Sequence, residues 1–232
     1  MAALVTSTAR GTDLAILVPV LDRPQRVATL IADVRAATPP VFRILFVATQ
    51  GDQNEIDEII RNSADDVALV TVSPSREGYG RKLNYGMRAT DETYLFLAAD
   101  DLHFHPGWYD TCLAVQARTG CCVVGTNDLG NSRVKQGWHS THSLVHRGYA
   151  ECGTVDEPGL LVSEHYRHEF VDDEFIQTAM WRGTYQHAHQ AYVEHLHPDW
   201  GKGVEDQTYR RGRASRQQDL ATYNARKHLW GR

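Results

Sequence analysis

The chain has 232 residues, a formal net charge of -5, and 42% hydrophobic and 23% charged residues. That composition is ordinary for a globular protein long enough to bury a sizeable core as one domain. The acidic balance speaks against a dedicated nucleic-acid-coating protein, and no apolar run approaches membrane-spanning length.

Residues 1–12 read as a loose leader. The apolar run 14–21 (LAILVPVL) reads as a buried parallel strand. Asp22, Arg23 and Pro24 follow at once with no small-residue cleavage site, so it is not a signal peptide. Pro24 opens a helical pattern with Val27, Leu30, Ile31 and Val34 on one face, and Pro39-Pro40 stops it. Residues 42–49 form a second strand, 52–61 a helix, 66–72 a third strand, 83–89 a helix and 94–99 a fourth strand. This alternation predicts an α/β fold with a mostly parallel central sheet flanked by helices.

The second half reads differently. A helix is expected from His105-Pro106-Gly107-Trp108 to about Arg118, and a strand at 121–126. Residues 127–168 look loop-like and rich in Gly and His. A helix is expected at 172–182, a strand at 191–197, and a last helix at 216–228. The chain therefore divides into a nucleotide-binding half (about 13–120), an acceptor-side half (about 121–209) and a polar tail (210–232). Arg210, Arg211, Arg213 and Arg216 read as a solvated, mobile patch on that tail. The four cysteines, Cys112, Cys121, Cys122 and Cys152, lack zinc-ribbon or C-x-x-C spacing, so free thiols in a reducing cytoplasm are expected.

Five clusters carry chemistry. Asp100-Asp101 ends the fourth strand, where α/β sheets bind ligands, and two carboxylates there can hold a divalent cation; a turn or helix cap is the bland alternative. Asp172-Asp173-Glu174 opens a helix, which suits the helix dipole, or places a general base near an acceptor hydroxyl. His195 and His197, two apart on a strand, share a face. With the aspartates they would make a mixed oxygen and nitrogen site suited to manganese. Gly78 to Asn84 (GYGRKLN) puts glycines and the positive Arg81 and Lys82 before a helix, fitting a diphosphate or a simple turn. Gly125, Thr126, Asn127 and Asp128, with His139 and His142, form a polar loop set suited to ligand binding. A zinc hydrolase using His139, His142, His165 and His168 is the competitor, although HSLVH lacks the glutamate of H-E-x-x-H.

Taken in order, LVPVLDRP, KLNYGMRAT, TYLFLAADDLHFHPGW, VDDEFIQTAMWRG and VEHLHPDWGKGVEDQTY resemble a family-2-type glycosyltransferase of the GT-A (Rossmann-like) fold. The likeness runs over about residues 14–209, and the chain closely resembles glycosyltransferase-like proteins of bacteriophages, which implies a phage origin. It implies transfer of a sugar from a nucleotide-diphosphate donor, UDP preferred, to a hydroxyl on a protein, a glycan or a modified nucleic acid. Mn²⁺ or Mg²⁺ would be the cofactor. The metal ligands would be Asp100, Asp101 and His195 or His197, and the base Asp172, with Asp173 as the alternative. Pro19, Val20, Asp22, Arg23, Lys82, Asn84, Ala99 and Asp100 would touch the donor. Trp108, Asn127, Asp128, His139 and His142 would face the acceptor. A nucleotidyltransferase of similar architecture is the second possibility. Two departures stand out: the first Asp of a D-x-D falls at Ala98, and the usual acidic base contact after the second strand is missing from VATQGDQ.

Overall fold

The computed structural model describes residues 12–230, so nearly all of the expected leader lies outside the described residues. The strands are β1 (Leu14–Pro19), β2 (Phe42–Thr49), β3 (Val67–Val72), β4 (Tyr94–Leu97), β5 (Leu102–Phe104), β6 (Val123–Asn127), β7 (Ser143–His146) and β8 (Tyr185–His195). The helices are α1 (Pro24–Ala37), α2 (Gln53–Asn62), α3 (Tyr79–Arg88), α4 (Trp108–Thr119), α5 (Ser132–Lys135), α6 (Arg147–Cys152), α7 (Val171–Trp181) and α8 (Gln207–Arg226).

The strands form one sheet in the order β3-β2-β1-β4-β7-β6-β8-β5. Its first four strands are parallel, as the βα alternation requires. Beyond β4 the sheet is mixed. β7 runs antiparallel to both neighbours, β8 is parallel to β6, and β5 closes the edge antiparallel to β8.

The strands of the first half read as largely apolar runs because both of their faces are covered. Leu14, Ile16 and Val18 of β1 point into a layer with Val27, Leu30, Ile31 and Val34 of α1 and with Trp108 and Cys112 of α4. Ala15 and Leu17 point the other way, toward Leu83 and Met87 of α3 and Phe175, Ile176 and Ala179 of α7.

Three expectations change. The segment 127–168 is not continuous loop: β7 lies inside the sheet between β4 and β6. Four residues are too few for a period-2 pattern to stand out, and one of β7's two partners, β4, lies far off in sequence. β8 begins six residues earlier than expected. The last helix starts at Gln207, capped by the Asp206 carboxylate accepting from Tyr209 N–H at 3.0 Å. The arginines read as a mobile tail therefore lie on α8, packed back over the sheet's active edge. Among the described residues no helix is long and apolar enough to cross a membrane.

Candidate active site

The carboxyl ends of β1 and β4, the start of α3, the N-terminus of α7 and the first turns of α8 enclose one cavity of about 830 Å³. One end is lined by Pro19, Val20, Gly78, Tyr79 and Lys82, the floor by Asp100, Asp101 and His195, and the far side by Arg133, His139, Asp172 and Asp173. Among the described residues three non-glycine residues adopt left-handed φ: Asp22 (56°), Leu129 (56°) and Phe170 (66°). Two of them flank site residues, Asp22 next to Arg23 and Phe170 two before Asp172. Backbone strain of this kind concentrates at ligand sites.

Asp100 and Asp101 leave β4 together and are almost fully buried, with side chains 6% and 4% exposed. Pairing of β5 with β8 sets Leu102 opposite His195, which carries the imidazole to Asp101: His195 Nε2 lies 3.3 Å from Asp101 Oδ2. Tyr209 O–H donates to the same oxygen at 2.5 Å. Arg23 fills the other side. Its Nη1 donates to Asp100 Oδ1 at 2.8 Å, its Nε and Nη2 donate to the two oxygens of Asp206 at 2.8 and 2.9 Å, and its guanidinium stacks 4.1 Å above the Tyr209 ring. Arg23 was expected to touch the nucleotide; here it binds the acidic pair to α8, while its side chain still borders the cavity. Burial and the neighbouring Asp101 charge push Asp100 up to about 6. Asp101 goes well below the carboxylate range: burial opposes this, but His195, Tyr209 and Arg23 outweigh it.

A second acidic pair opens α7. Asp172 Oδ2 lies 3.1 Å from His139 Nε2, and Asp173 Oδ1 accepts from Arg133 Nη2 at 2.7 Å. Burial raises Asp172, yet His139 holds it below the ordinary value; Asp173 is pushed up by burial and by its neighbour's charge. His139 is shifted up, because the Asp172 charge overcomes the burial that disfavours an imidazolium. An ionised carboxylate on the cavity wall can accept a proton.

Several expected contacts are corrected. Trp108 is fully buried against Phe96 and Phe104, and its indole N–H donates to Thr38 Oγ1, so it is core rather than acceptor platform. Asn84 is buried as a brace: its amide donates to Val162 O and its Oδ1 accepts from Val162 N–H. Asn127 and Asp128 are spent on structural bonds: Asn127 Nδ2 donates to His189 O and its Oδ1 accepts from Leu129 N–H, while Asp128 Oδ1 accepts from Gly130 and Asn131 N–H. Asp22 pairs outward with Arg211 and does not border the cavity. His165 turns to Glu157, away from the cavity, so the four histidines of a hydrolase do not converge. Pro19, Val20, Arg23, Lys82, Ala99, Asp100, Asp101, His139, His142, Asp172, Asp173, His195 and His197 all line the cavity. Lys82 donates to Val20 O at 2.5 Å, and burial lowers it to about 8.

Sequence reasoning missed Tyr79, Arg133, Trp200, Asp206 and Tyr209. Asp206 carried a legible signal, an Asp three residues before the first buried residue of a helix. Trp200 carried no sequence signal; in the structure its ring packs so close to Gly130 that a Cβ there would lie 2.6 Å from it and force a shift. Glu55 was also missed. It is wholly buried on α2 and accepts from Arg23 N–H at 2.6 Å, and burial pushes it up to about 7.

The donor set suits a divalent ion in part. Asp101 Oδ1 is buried without a partner, a hard oxygen free to ligate. No three of Asp100, Asp101, His195 and His197 bring ligand atoms within 4.8 Å of one another; His139, Asp172 and Asp173 do. That wider spread is compatible with ions held by one or two protein groups and completed by substrate phosphates. The tighter set is already neutralised by His139 and Arg133.

A mixed sheet with a parallel first half and an acidic pair at its carboxyl edge has the architecture of the GT-A fold. Residues 15–188 match the model of glycosyl transferase family 2, and the chain belongs to that family. No curated protein matches the chain in sequence. Among solved structures it is similar to a mannosyltransferase (PcManGT) of Pyrobaculum calidifontis in complex with GDP-Man and Mn²⁺. The TM-score is 0.68 at 15% identity, covering 97% of this chain and 66% of that one. Glucosyl-3-phosphoglycerate synthase from Mycobacterium tuberculosis with Mn²⁺, UDP and phosphoglyceric acid gives 0.65 at 15% identity, covering 95% and 80%. S. aureus TarS 1-349 with UDP gives 0.60 at 14% identity, covering 79% and 60%. The chain thus spans slightly under two thirds of the length of the first and third of these proteins.

Proposed function

We propose that the chain transfers a glycosyl group from a nucleotide-diphosphate sugar to an acceptor hydroxyl by a single displacement with inversion. The carrying observation is that Asp172, paired with His139 and held in its ionised form, borders the same cavity as the Asp100-Asp101 pair. The acceptor oxygen attacks the anomeric carbon, its proton passes to an Asp172 oxygen, and the bond to the diphosphate breaks with its electron pair leaving on the diphosphate.

Pro19, Val20 and the glycine-led start of α3 would hold the nucleotide diphosphate, with backbone N–H groups of that helix and Lys82 meeting negative charge. A divalent ion, Mn²⁺ or Mg²⁺, bound at the acidic pair would neutralise the leaving diphosphate. His139 keeps Asp172 charged, and Arg133 holds Asp173 aside. Similar structures carry Mn²⁺ with GDP-Man or with UDP, and UDP is the first donor to test. For a phage-encoded chain working in a host cytoplasm, the acceptor would be a protein, a glycan or a modified nucleic acid.

The test is to incubate the purified chain with a panel of UDP-, GDP-, CDP- and dTDP-sugars and Mn²⁺, following nucleotide release and the anomeric configuration of product. Release of one nucleoside diphosphate with an inverted product is expected. A product of retained configuration, formed at the same rate by Asp172→Asn, would overturn the mechanism.

A further inference from the structure

Among the described residues, three buried polar atoms on the cavity wall have no hydrogen-bond partner: Asp101 Oδ1, His142 Nε2 and His139 Nδ1. The first two belong to residues that both lie against His195. His142 stands just ahead of β7 and is 3% exposed. Its Nδ1 lies 2.9 Å from Leu97 O, the last carbonyl of β4. A carbonyl only accepts, so Nδ1 carries the ring proton and Nε2 presents its lone pair. A ring steadied from behind by a backbone carbonyl, with the other nitrogen bare, is how metal-bound imidazoles are held.

The ring of His142 stands edge-on to that of His195, 5.0 Å between centroids. His195 in turn reaches Asp101 Oδ2, which also accepts from Tyr209. Asp101 is thereby fixed through one oxygen while the other is left bare. His197 differs. Its Nδ1 accepts from Asp199 N–H at 3.1 Å and its ring packs on Tyr209 at 4.8 Å, so it caps the turn that leads to α8.

We propose, on the donor-site reading above, that His142 Nε2 and Asp101 Oδ1 are the protein ligands of the divalent ion, that His195 positions Asp101, and that His197 is not a ligand. An oxygen and a neutral imidazole nitrogen together suit manganese better than calcium or magnesium. The two ligands come from adjacent antiparallel strands, one from β4's exit and one from β7's entry. The strand inserted between β4 and β6 is therefore what brings the imidazole to the acidic pair.

The experiment is calorimetric titration of Mn²⁺ into the full chain, alone and with UDP or GDP, for wild type, Asp101→Asn, His142→Gln and His197→Gln. His142→Gln and Asp101→Asn are each expected to weaken Mn²⁺ binding by about tenfold or more, with His197→Gln close to wild type. His142→Gln with wild-type affinity, or His197→Gln losing as much, would overturn the assignment. If His142→Gln does not fold, Mn²⁺ broadening of histidine ring resonances in the wild-type protein decides instead. His142 should broaden more than His197, and the reverse order overturns the ligation. Nucleotide binding that persists in EDTA without Mn²⁺ uptake overturns the ligation alone and leaves the donor site standing. Wild type that binds neither nucleotide nor Mn²⁺ overturns both.

Discussion

The two acidic pairs are built alike and placed differently. Each has one carboxylate beside a histidine and driven down, Asp101 by His195 and Asp172 by His139. Each has one beside an arginine and driven up, Asp100 by burial despite Arg23 and Asp173 by burial despite Arg133. The order is reversed along the chain, and so is the surrounding medium. Asp100 and Asp101 have side chains 6% and 4% exposed, whereas Asp172 and Asp173 reach 28% and 14%. A buried pair braced by Arg23, Tyr209 and Asp206 is a fixed charge cluster with one bare oxygen, suited to an ion and a diphosphate. The more open pair keeps a carboxylate in contact with the cavity, suited to exchanging a proton with a hydroxyl.

The sharpest way to break this contrast is to neutralise the open pair. Asp172→Asn should lower kcat by about 10²–10⁴ while the nucleotide dissociation constant stays near wild type, measured by steady-state kinetics and calorimetry. The arginines come next. Arg23→Ala leaves Asp100, Asp101 and Asp206 without their buried counter-ion, and urea unfolding should register a loss of about 3–5 kcal/mol.

Removing His139 tests the proton-accepting half. His139→Gln takes away the charge that holds Asp172 down, and burial then raises it, so the acid limb of the pH–rate profile should move to higher pH. The pair's stabilisation has two edges. Asp172's share is present above its ordinary value of 3.8 and lost as pH falls through its lowered value. His139's share is present below its ordinary 6.5 and lost as pH rises through its raised value. An unmoved acid limb would remove His139 from the account. Arg133→Ala should have the smallest effect. Its guanidinium side chain is 47% exposed, and solvent-screened pairs contribute about 0.2–1 kcal/mol. A loss as large as that of Arg23→Ala would erase the distinction between the pairs.

The parallel half of the fold was legible because burial on both faces leaves largely apolar runs at 14–19, 42–49 and 67–72, and helix stops such as Pro39-Pro40 punctuate them. β5 and β7 were not legible. They are three and four residues long, and their place is set by partners far away in sequence, β8 for β5 and β4 for β7. The same distance hid the core of the site. Arg23 and Asp206 are 183 positions apart, and no local pattern announces that they meet. α8 lacks an apolar stripe, so its start at Gln207 was signalled only by a capping aspartate. Trp108 looked like a binding platform because aromatic residues serve both roles; its burial followed from Phe96 and Phe104, which pack around it. The carboxylates themselves were visible as pairs at element ends, but their opposite shifts depend on which histidine and arginine the fold delivers.

The most direct test of the division between the pairs is thermal stabilisation by UDP or GDP in the presence of Mn²⁺, read side by side for wild type, Asp101→Asn and Asp172→Asn. A ligand bound only to the native state raises its stability by mass action. A shift present in wild type, retained by Asp172→Asn and lost in Asp101→Asn is the predicted result. A shift lost in Asp172→Asn and kept in Asp101→Asn would contradict it and place the nucleotide at the wrong end of the cavity.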